Sequence, residues 1–482
     1  MVCDFFHPNV GGVESHIHML SANLLKRGHK VIVITHSYPP SRTGIRYLLP
    51  GLKVYYLPLR TLVSSATLPN YFSMLPYLRT ILLREHVHLV HAHAALSSLG
   101  QEALLHAHMM GVRTVFTDHS LFGFEDAAAI LTNKLLEAAL RCVDAVVCVS
   151  HTARENTVLR GQLFDPSPDG TMVVRKNVYV IPNALVSDRF RPAETPLSSD
   201  TITIIVLSRL AYRKGIDLLI AAAPCICARW PRVKFVVGGD GPKLNELLQM
   251  REKHRLEERI ELLGPLRGTD VRDVLIRGQI FLNSSLTESF GIGLLEAASC
   301  GLYVVATRVG GVPEVLPNDM VAFCAPEVDA VVKAIGEAIR RVGGMGAETN
   351  GLEDWDEGEA RRPSRINEQP WDAQAAHARV KEFYSWSEVT RRTEAVYDAV
   401  MHTEAISLWE RIVRTMSLGP FAGLIYTAIL IVDCLFFLIL EWASPREDID
   451  YVRMGWDRKA FEAMAKRQED RAGTLTNPSS CD

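Results

Sequence analysis

Two glutamates, Glu288 and Glu296, flank a glycine-bearing apolar run in SSLTESFGIGLLEAASCG, residues 284–301. A carboxylate taken out of water without a partner is costly, so a pair of them in a stretch otherwise fit for a core calls for hydroxyls or positive charge. Sugar hydroxyls donating to a carboxylate meet that demand, and two such carboxylates point to a glycoside. Positive charge is at hand in SRLAYRKG, where Arg209 and Lys214 follow an apolar run. A guanidinium grips phosphate oxygens in a fork and an ammonium adds a point charge. Gly11 and Gly12 end another apolar run just before a helical pattern, an arrangement that lets phosphate approach a helix start. Each has a plain alternative, since Arg209 reads as a surface cation and Gly11-Gly12 as a tight turn. Their common placement at the ends of apolar runs favours a site.

That placement follows from the alternation of the chain. VCDFF, KVIVITH, LKVYYLP, HLVHAH, RTVFTDH, AVVCVS and VYVIP read as strands, with helical stretches filling most of the gaps. The helix predicted over 13–27 puts Val13, Ile17, Leu20 and Leu24 on one face and stops at Gly28. After the Pro/Ser-rich linker 192–200 the pattern restarts with ITIIVLSRL, VKFVVGGDG, RIELLG, IFLNSS, YVVATRVG and VAFCA. Such alternation gives a parallel sheet covered by helices. The predicted fold class is therefore α/β, with two Rossmann-like domains, 1–190 and 200–342, facing a cleft. LTESFGIG becomes the loop at the carboxyl end of a strand and GLLEAASC opens the next helix, where ligands bind in open sheets. Gly291 and Gly293 allow close backbone approach. Glu296 stands where a dinucleotide fingerprint needs its third glycine, which argues against a nicotinamide site.

The rest of the chain bounds the setting. Its 482 residues are 48% hydrophobic and 22% charged, an ordinary balance for a large globular protein. A net charge of −3 without a dense basic cluster excludes nucleic acid as the expected partner. The nine cysteines are odd in number and sit mostly inside apolar runs, so they read as buried thiols in a reducing compartment. The start has no basic and long apolar leader, so no signal peptide is expected, and a strand opening at residue 2 predicts a few residues upstream. FAGLIYTAILIVDCLFFLIL, residues 421–440, carries one charge, Asp433, and suits a hydrocarbon core of ~30 Å. It predicts one transmembrane helix with Trp409, Trp442 and Tyr451 at the interfaces, and Asp433 is expected to meet a partner helix. Residues 343–376 lack periodic apolar positions and predict a disordered insertion. Its DWD, like DID at 448–450, resembles a metal-binding pair but lacks the rigid support a metal site needs.

GGVESH, TDHS, SRLAYRKG, GGDGP and ESFGIGLLEAASCG, in this order and spacing, resemble the retaining GT-B glycosyltransferases of family 4. The likeness runs over roughly residues 1–340 and returns at FYSWSEVTRRTEAVYDAV, similar to the family's closing helices, here 377–405. CDFFHPNVGGVESHI, GIRYLLPGLKVYYLPL, TVFTDHSLFGFEDA, LTNKLL, SHTARENTVLR and RVGGVPEVLP are similar more narrowly to the catalytic subunits of the complexes that begin glycosylphosphatidylinositol-anchor synthesis.

The resemblance implies transfer of N-acetylglucosamine from UDP-N-acetylglucosamine to phosphatidylinositol with the α-linkage kept, no cofactor and no required metal. It puts Arg209 and Lys214 on the donor diphosphate and Glu296 on the ribose hydroxyls. Glu288, with the nearby backbone amides of Ser289, Phe290 and Gly291, would hold the donor sugar, and Gly11 and Gly12 would let the backbone approach diphosphate and acceptor. His119 would face the sugar near its 6-hydroxyl; read alone, it is a satisfied core histidine. Other membrane subunits are implied as partners, and the endoplasmic reticulum membrane as the location, with the large domain cytosolic and the tail 443–482 in the lumen. Charge counting opposes that orientation, because Arg411 and Arg414 precede the span while Arg446, Arg453, Arg458 and Lys459 follow it. Export of some 400 residues without a leader opposes the reverse. Two alternatives stay open, a related hexosyltransferase using another sugar or a dolichol-linked acceptor, and a non-catalytic scaffold. The joint presence of Arg209, Lys214, Glu288 and Glu296 counts against the scaffold.

Overall fold

The computed structural model describes residues 1–9, 11–38, 41–59, 61–63, 66–67, 70–121, 127–194, 201–343 and 371–452. Most of the expected insertion, most of the tail and the linker's second half lie outside these residues.

The first sheet runs, in spatial order, Gly44–Leu49, Leu52–Leu57, Ile32–His36, the single bridging residue Val2, Leu89–His93, Arg113–Asp118, Ala145–Cys148 and Val178–Val180. Its members are parallel except Gly44–Leu49, which pairs antiparallel with Leu52–Leu57. The expectation of a wholly parallel sheet fails there because two strands joined by a tight turn can only pair antiparallel. GIRYLL escaped notice because it is exposed at four successive positions and shows no alternation. VCDFF is likewise not a full strand. Val2 donates to His91 O at 2.9 Å, Cys3 to Ile34 O at 3.2 Å, and the chain then turns away at Asp4. That carboxylate accepts from Ser97 Oγ (2.8 Å), the Leu99 amide (3.0 Å) and the Thr67 amide (2.9 Å), fixing three loops at one point.

One face of this sheet buries Ile17, Leu20 and Leu24 of helix Gly12–Lys26 together with Trp386, Val389 and Val396. The opposite face buries Met74 and Leu78 of helix Tyr71–Arg84 and Leu99 and Ala103 of helix Ser98–Met109.

The second sheet matches expectation strand for strand. Six parallel strands run Ile260–Gly264, Val233–Gly238, Ile202–Leu207, Ile280–Asn283, Tyr303–Thr307, Val321–Cys324. Strands covered on both faces read as continuous apolar runs, which made them legible. In chain order this is 3-2-1-4-5-6, so the winding reverses between Ile202–Leu207 and Ile280–Asn283, and the crevice opens at their carboxyl ends.

The described chain begins again inside the bounds expected for the insertion. Trp371 donates its Nε1 to Gly301 O at 2.7 Å, and helix Ala373–Phe383 packs on helix Ile292–Ser299, where His377 Nδ1 lies 3.0 Å from Ser299 Oγ. At the other boundary Gly343 still closes helix Val328–Gly343. Helix Trp386–Met401 then crosses to the first domain, where Glu394 pairs with Arg27 at 2.6 Å and Tyr397 Oη meets His91 Nδ1 at 2.7 Å.

Helix Ala422–Ala443 has 22 residues and a mean hydropathy of 2.5, long and apolar enough to cross a membrane. Gly423, Thr427, Leu430, Asp433 and Phe437 form a stripe buried against the first domain, while Leu424, Ile425, Ile431, Leu435, Leu438 and Trp442 are exposed. The partner helix expected for Asp433 lies within this chain. Asp433 Oδ2 lies 2.9 Å from His106 Nδ1 on helix Ser98–Met109, both side chains fully buried. Beyond the helix, Val452 donates to Arg84 O at 2.9 Å and Tyr451 stacks on His86 at 4.4 Å. The described start of the tail thus returns to the first domain rather than leaving it.

Candidate active site

The second-domain wall is set by glycine. After Ile202–Leu207 the chain passes Arg209 and the short turn Tyr212–Lys214 to Gly215, at φ 66°. A Cβ there would fall 1.7 Å from Ser284 O, so only glycine lets this turn close on the end of strand Ile280–Asn283. Once closed, Leu286 donates to Arg213 O at 2.9 Å and Ser284 Oγ to Lys214 O at 3.0 Å. Lys214 Nζ then reaches Glu288 Oε2 at 2.5 Å. The two motif residues expected to hold different parts of one ligand are therefore joined to each other. Arg209 is exposed, and its guanidinium has no ion pair or hydrogen bond among the described residues.

Gly291, at φ 88°, opens helix Ile292–Ser299 and places Glu296 in its second turn. Burial pushes the Glu296 carboxyl up to about 7, against the pull of the Arg189 charge. Its oxygens accept no hydrogen bond among the described residues, and vicinal hydroxyls would supply what such a carboxylate needs.

The side chains of Ser289 and Phe290 are committed elsewhere, which leaves the donor sugar only the backbone amides expected to meet it. Ser289 faces the other domain, its Oγ donating to His119 O at 2.6 Å while its carbonyl accepts from Ser150 Oγ at 2.7 Å. It braces the cleft. Phe290 is 2% exposed and packs edge-on against Tyr384 at 5.9 Å, so its side chain is core and only its backbone can meet a ligand. Adjacency within a motif does not fix orientation.

Glu314 was not singled out from the sequence, yet it ties the domains together. Its carboxylate accepts from the amides of His151 (2.6 Å) and Thr152 (2.8 Å) and from Thr152 Oγ1 (2.7 Å). A second-domain acid thus sits on the N-terminus of first-domain helix His151–Gly161, where negative charge is favoured. No spacing rule could have named that partner.

The first-domain wall carries little charge. Gly12 begins helix Gly12–Lys26, and a Cβ on it would meet nothing within 4 Å, so its face is open. Gly11, extended at φ −172°, lies against the Glu14 carboxylate. Beside them three imidazoles converge. His93 Nδ1 lies 3.2 Å from His119 Nε2, the His16 and His119 rings are 4.7 Å apart, and His16 Nδ1 meets Asn183 Oδ1 at 2.9 Å. Burial, with a neighbouring imidazole second (His91 for His93, His16 for His119), holds His93 and His119 well below the usual histidine range, and burial takes His16 to about 4. All three are neutral near pH 7. Each offers a ligand nitrogen within 4.8 Å of the others, so these are the described residues that could hold a metal; the hydrogen bonds to Asn183 and between His93 and His119 already engage three of their nitrogens. Single histidines give no sequence signal of such a meeting, and His16 and His93 were missed.

The chain is similar to known proteins in sequence and in fold. The profile of a family described as PIGA (GPI anchor biosynthesis) matches residues 36–126, and that of Glycosyl transferases group 1 matches 201–342. The phosphatidylinositol N-acetylglucosaminyltransferase gpi3 subunit of Schizosaccharomyces pombe is 48% identical over 99% of this chain and 97% of its own length. The corresponding subunit of the Homo sapiens enzyme of that name is 45% identical over 93% of this chain and 86% of its own. Among solved structures, sucrose-phosphate synthase from Thermosynechococcus elongatus superposes with a TM-score of 0.61 at 18% identity, covering 81% of this chain and 94% of that one, a likeness of fold. With two parallel-sheet domains closed over a crevice and such identity along nearly the whole chain, this GT-B protein belongs to the GPI3 family of phosphatidylinositol N-acetylglucosaminyltransferase subunits.

Proposed function

We propose that this chain is the catalytic subunit that transfers N-acetylglucosamine from UDP-N-acetylglucosamine to phosphatidylinositol, the first step of glycosylphosphatidylinositol-anchor synthesis. The observation that carries it is the grouping of Arg209, the Lys214–Glu288 pair and Glu296 at the switch point of the second sheet, braced by Ser289 against His119. Arg209, uncommitted among the described residues, takes the donor diphosphate. Lys214 arrives aimed by Glu288; as it turns to the phosphate it releases Glu288 to accept from donor-sugar hydroxyls. Both cations then meet the charge that grows on the departing phosphate, where preorganised donors contribute most. Glu296 accepts from the ribose. The neutral His119 meets a sugar hydroxyl without adding charge. For retention, an inositol hydroxyl attacks C1 on the face the diphosphate leaves, the new C–O bond forms as the old one breaks, and the hydroxyl proton passes to the departing phosphate oxygen.

The reading calls for no metal, because the cationic pair already offsets the leaving group. A chelator should leave the rate unchanged; loss restored by zinc would instead give the imidazole cluster a metal-binding role. The decisive experiment gives microsomes carrying this chain and its partner subunits several labelled nucleotide sugars and identifies the lipid product. Label from UDP-N-acetylglucosamine alone, on phosphatidylinositol, is the expected outcome. Label from another sugar favours the related hexosyltransferase, and undiminished product after Arg209 and Lys214 are both removed favours the scaffold.

We place the large domain on the cytosolic face of the endoplasmic reticulum, attached through Ala422–Ala443. The contacts of Tyr451 and Val452 with the first domain favour a second reading of that anchor, a helix lying along the bilayer with its exposed face among the acyl chains. Protease added to sealed microsomes separates the two: a protected tail means a crossing, and a tail digested with the large domain means an in-plane helix.

A further inference from the structure

Close to His7, in the segment that leads to Gly11-Gly12, stands a cation that none of the roles above uses. Arg42 lies in the loop after Ile32–His36, the strand that neighbours Val2 in the first sheet. Because the two run parallel, the loop bearing Arg42 and the segment from Cys3 to Gly11 leave the same carboxyl edge, where ligands of such sheets bind. The Arg42 guanidinium sits over the Tyr56 ring, 4.9 Å from its centroid. Tyr56 is 1% exposed and is pinned by its hydroxyl, which donates to His7 O at 2.9 Å. A guanidinium held on an aromatic face keeps its fork of N–H donors for another partner.

That partner is not among the described residues. Arg42 has no ion pair or hydrogen bond among the described residues, and its Nε is shielded from solvent. The His7 ring meets that of His18 edge-on at 5.0 Å, and His18 Nδ1 is also buried without a partner. Burial and then the charge of Arg42 keep His7 below its ordinary value, so it stays a neutral donor or acceptor. Glu14, the acid of this neighbourhood, lies against Gly11 and makes no ion pair with Arg42. An arginine so held, with two imidazoles beside it and no counter-ion, fits a phosphate monoanion. The donor diphosphate has Arg209 and Lys214 on the opposite wall.

We infer that Arg42, with His7 and His18, forms the subsite for the phosphodiester joining inositol to glycerol, and so sets a preference for phosphoinositol over bare inositol. The inference rests on the acceptor assignment made under the proposed function.

The test uses membranes carrying the full chain with its partner subunits and a soluble, deacylated acceptor, glycerophosphoinositol, beside free inositol. The wild type should favour glycerophosphoinositol. Arg42→Gln should raise its KM about 10- to 100-fold, the loss of one charge-assisted contact, erase the preference over inositol and leave the KM for UDP-N-acetylglucosamine unchanged, which also shows that the variant is folded. Arg42→Lys should recover part of the loss. Inorganic phosphate should compete with the acceptor in the wild type and not in Arg42→Gln. An unchanged acceptor KM in Arg42→Gln overturns the subsite, as does a rise confined to the nucleotide sugar. A defect seen with phosphatidylinositol vesicles and absent with glycerophosphoinositol overturns it in favour of a bilayer contact. Failure of the wild type on every inositol acceptor is a separate result, which overturns the acceptor assignment and the subsite together.

Discussion

The two sheet edges that face each other across the cleft are built from the same strand, loop and helix unit, and one carries charge where the other is largely neutral. The second-domain edge presents Arg209 and Glu296 without side-chain partners and holds Lys214 and Glu288 as a pair. The first-domain edge presents the open backbone at Gly12 and three imidazoles that burial keeps neutral, with Arg42 standing to one side. An ion enclosed without its counter-ion is expensive, so charge belongs on the wall where a charged group arrives and departs. A neutral wall suits hydroxyls, which need donors and acceptors but no neutralisation.

The comparison is broken most directly on the charged wall. Arg209→Ala or Lys214→Ala should lower kcat by about 10²- to 10³-fold, the loss of one preorganised contact to developing charge, with folding checked by near-unchanged Tm. A folded double variant that turns over normally would mean that the charge difference between the walls has no part in the reaction. On the neutral wall, His119→Ala removes a single uncharged hydrogen bond and should cost about 1 kcal/mol, or roughly fivefold in kcat/KM. Because His119 stays neutral, its removal should leave the pH–rate profile between pH 6 and 8 without a lost inflection; a vanished inflection near 6.5 would show that the wall carries charge after all.

Glu296 sharpens the contrast through pH. The unfolded chain releases this proton near 4.5 and the folded one near about 7, so the folded protein binds more protons between those values and loses stability as pH rises through them. Glu296→Gln should therefore exceed the wild type in stability above pH 7 by about 1–3 kcal/mol, with the two converging toward pH 4.5 in thermal melts. The same variant should raise the donor KM and spare kcat, as for binding that is equal in ground and transition states; a fall in kcat alone would remove the ribose role. The smallest effect belongs to the brace between the walls. Glu314→Gln keeps hydrogen-bond acceptors at the start of helix His151–Gly161 but loses the charge, worth about 0.3–1 kcal/mol. A two- to fivefold weaker donor affinity measured by titration would show that the brace sets the cleft width.

The legibility of the two edges differed as their charges do. The six strands of the second sheet could be read off because both faces are covered, and Arg209, Lys214, Glu288 and Glu296 stood out because charge next to apolar runs needs explaining. That Lys214 pairs with Glu288 was not legible, since only the turn at Gly215 brings together residues 74 apart in sequence. Phe290 was expected to offer its backbone amide, and its place in the motif did not show that its side chain is buried in the core. The imidazole cluster draws on a helix and two strands, each giving one ordinary histidine. Asp433 was rightly marked as needing a partner, and the partner, His106, lay on a helix whose apolar positions drew no attention to it.

The pairing of Asp433 with His106, and of Glu441 with Arg79 at 2.8 Å, has a consequence for biosynthesis. The last strand of the first sheet ends at Val180, yet the helix that covers His106 runs to Ala443, about 260 residues later. At ribosomal speed that gap is on the order of tens of seconds, during which the nascent first domain shows an unfinished flank to chaperones and to the membrane. A chain stopped after residue 405 would contain every strand of both sheets and still lack this wall. Premature stop codons late in the gene should therefore be read first as defects in completing the amino-terminal half of the molecule.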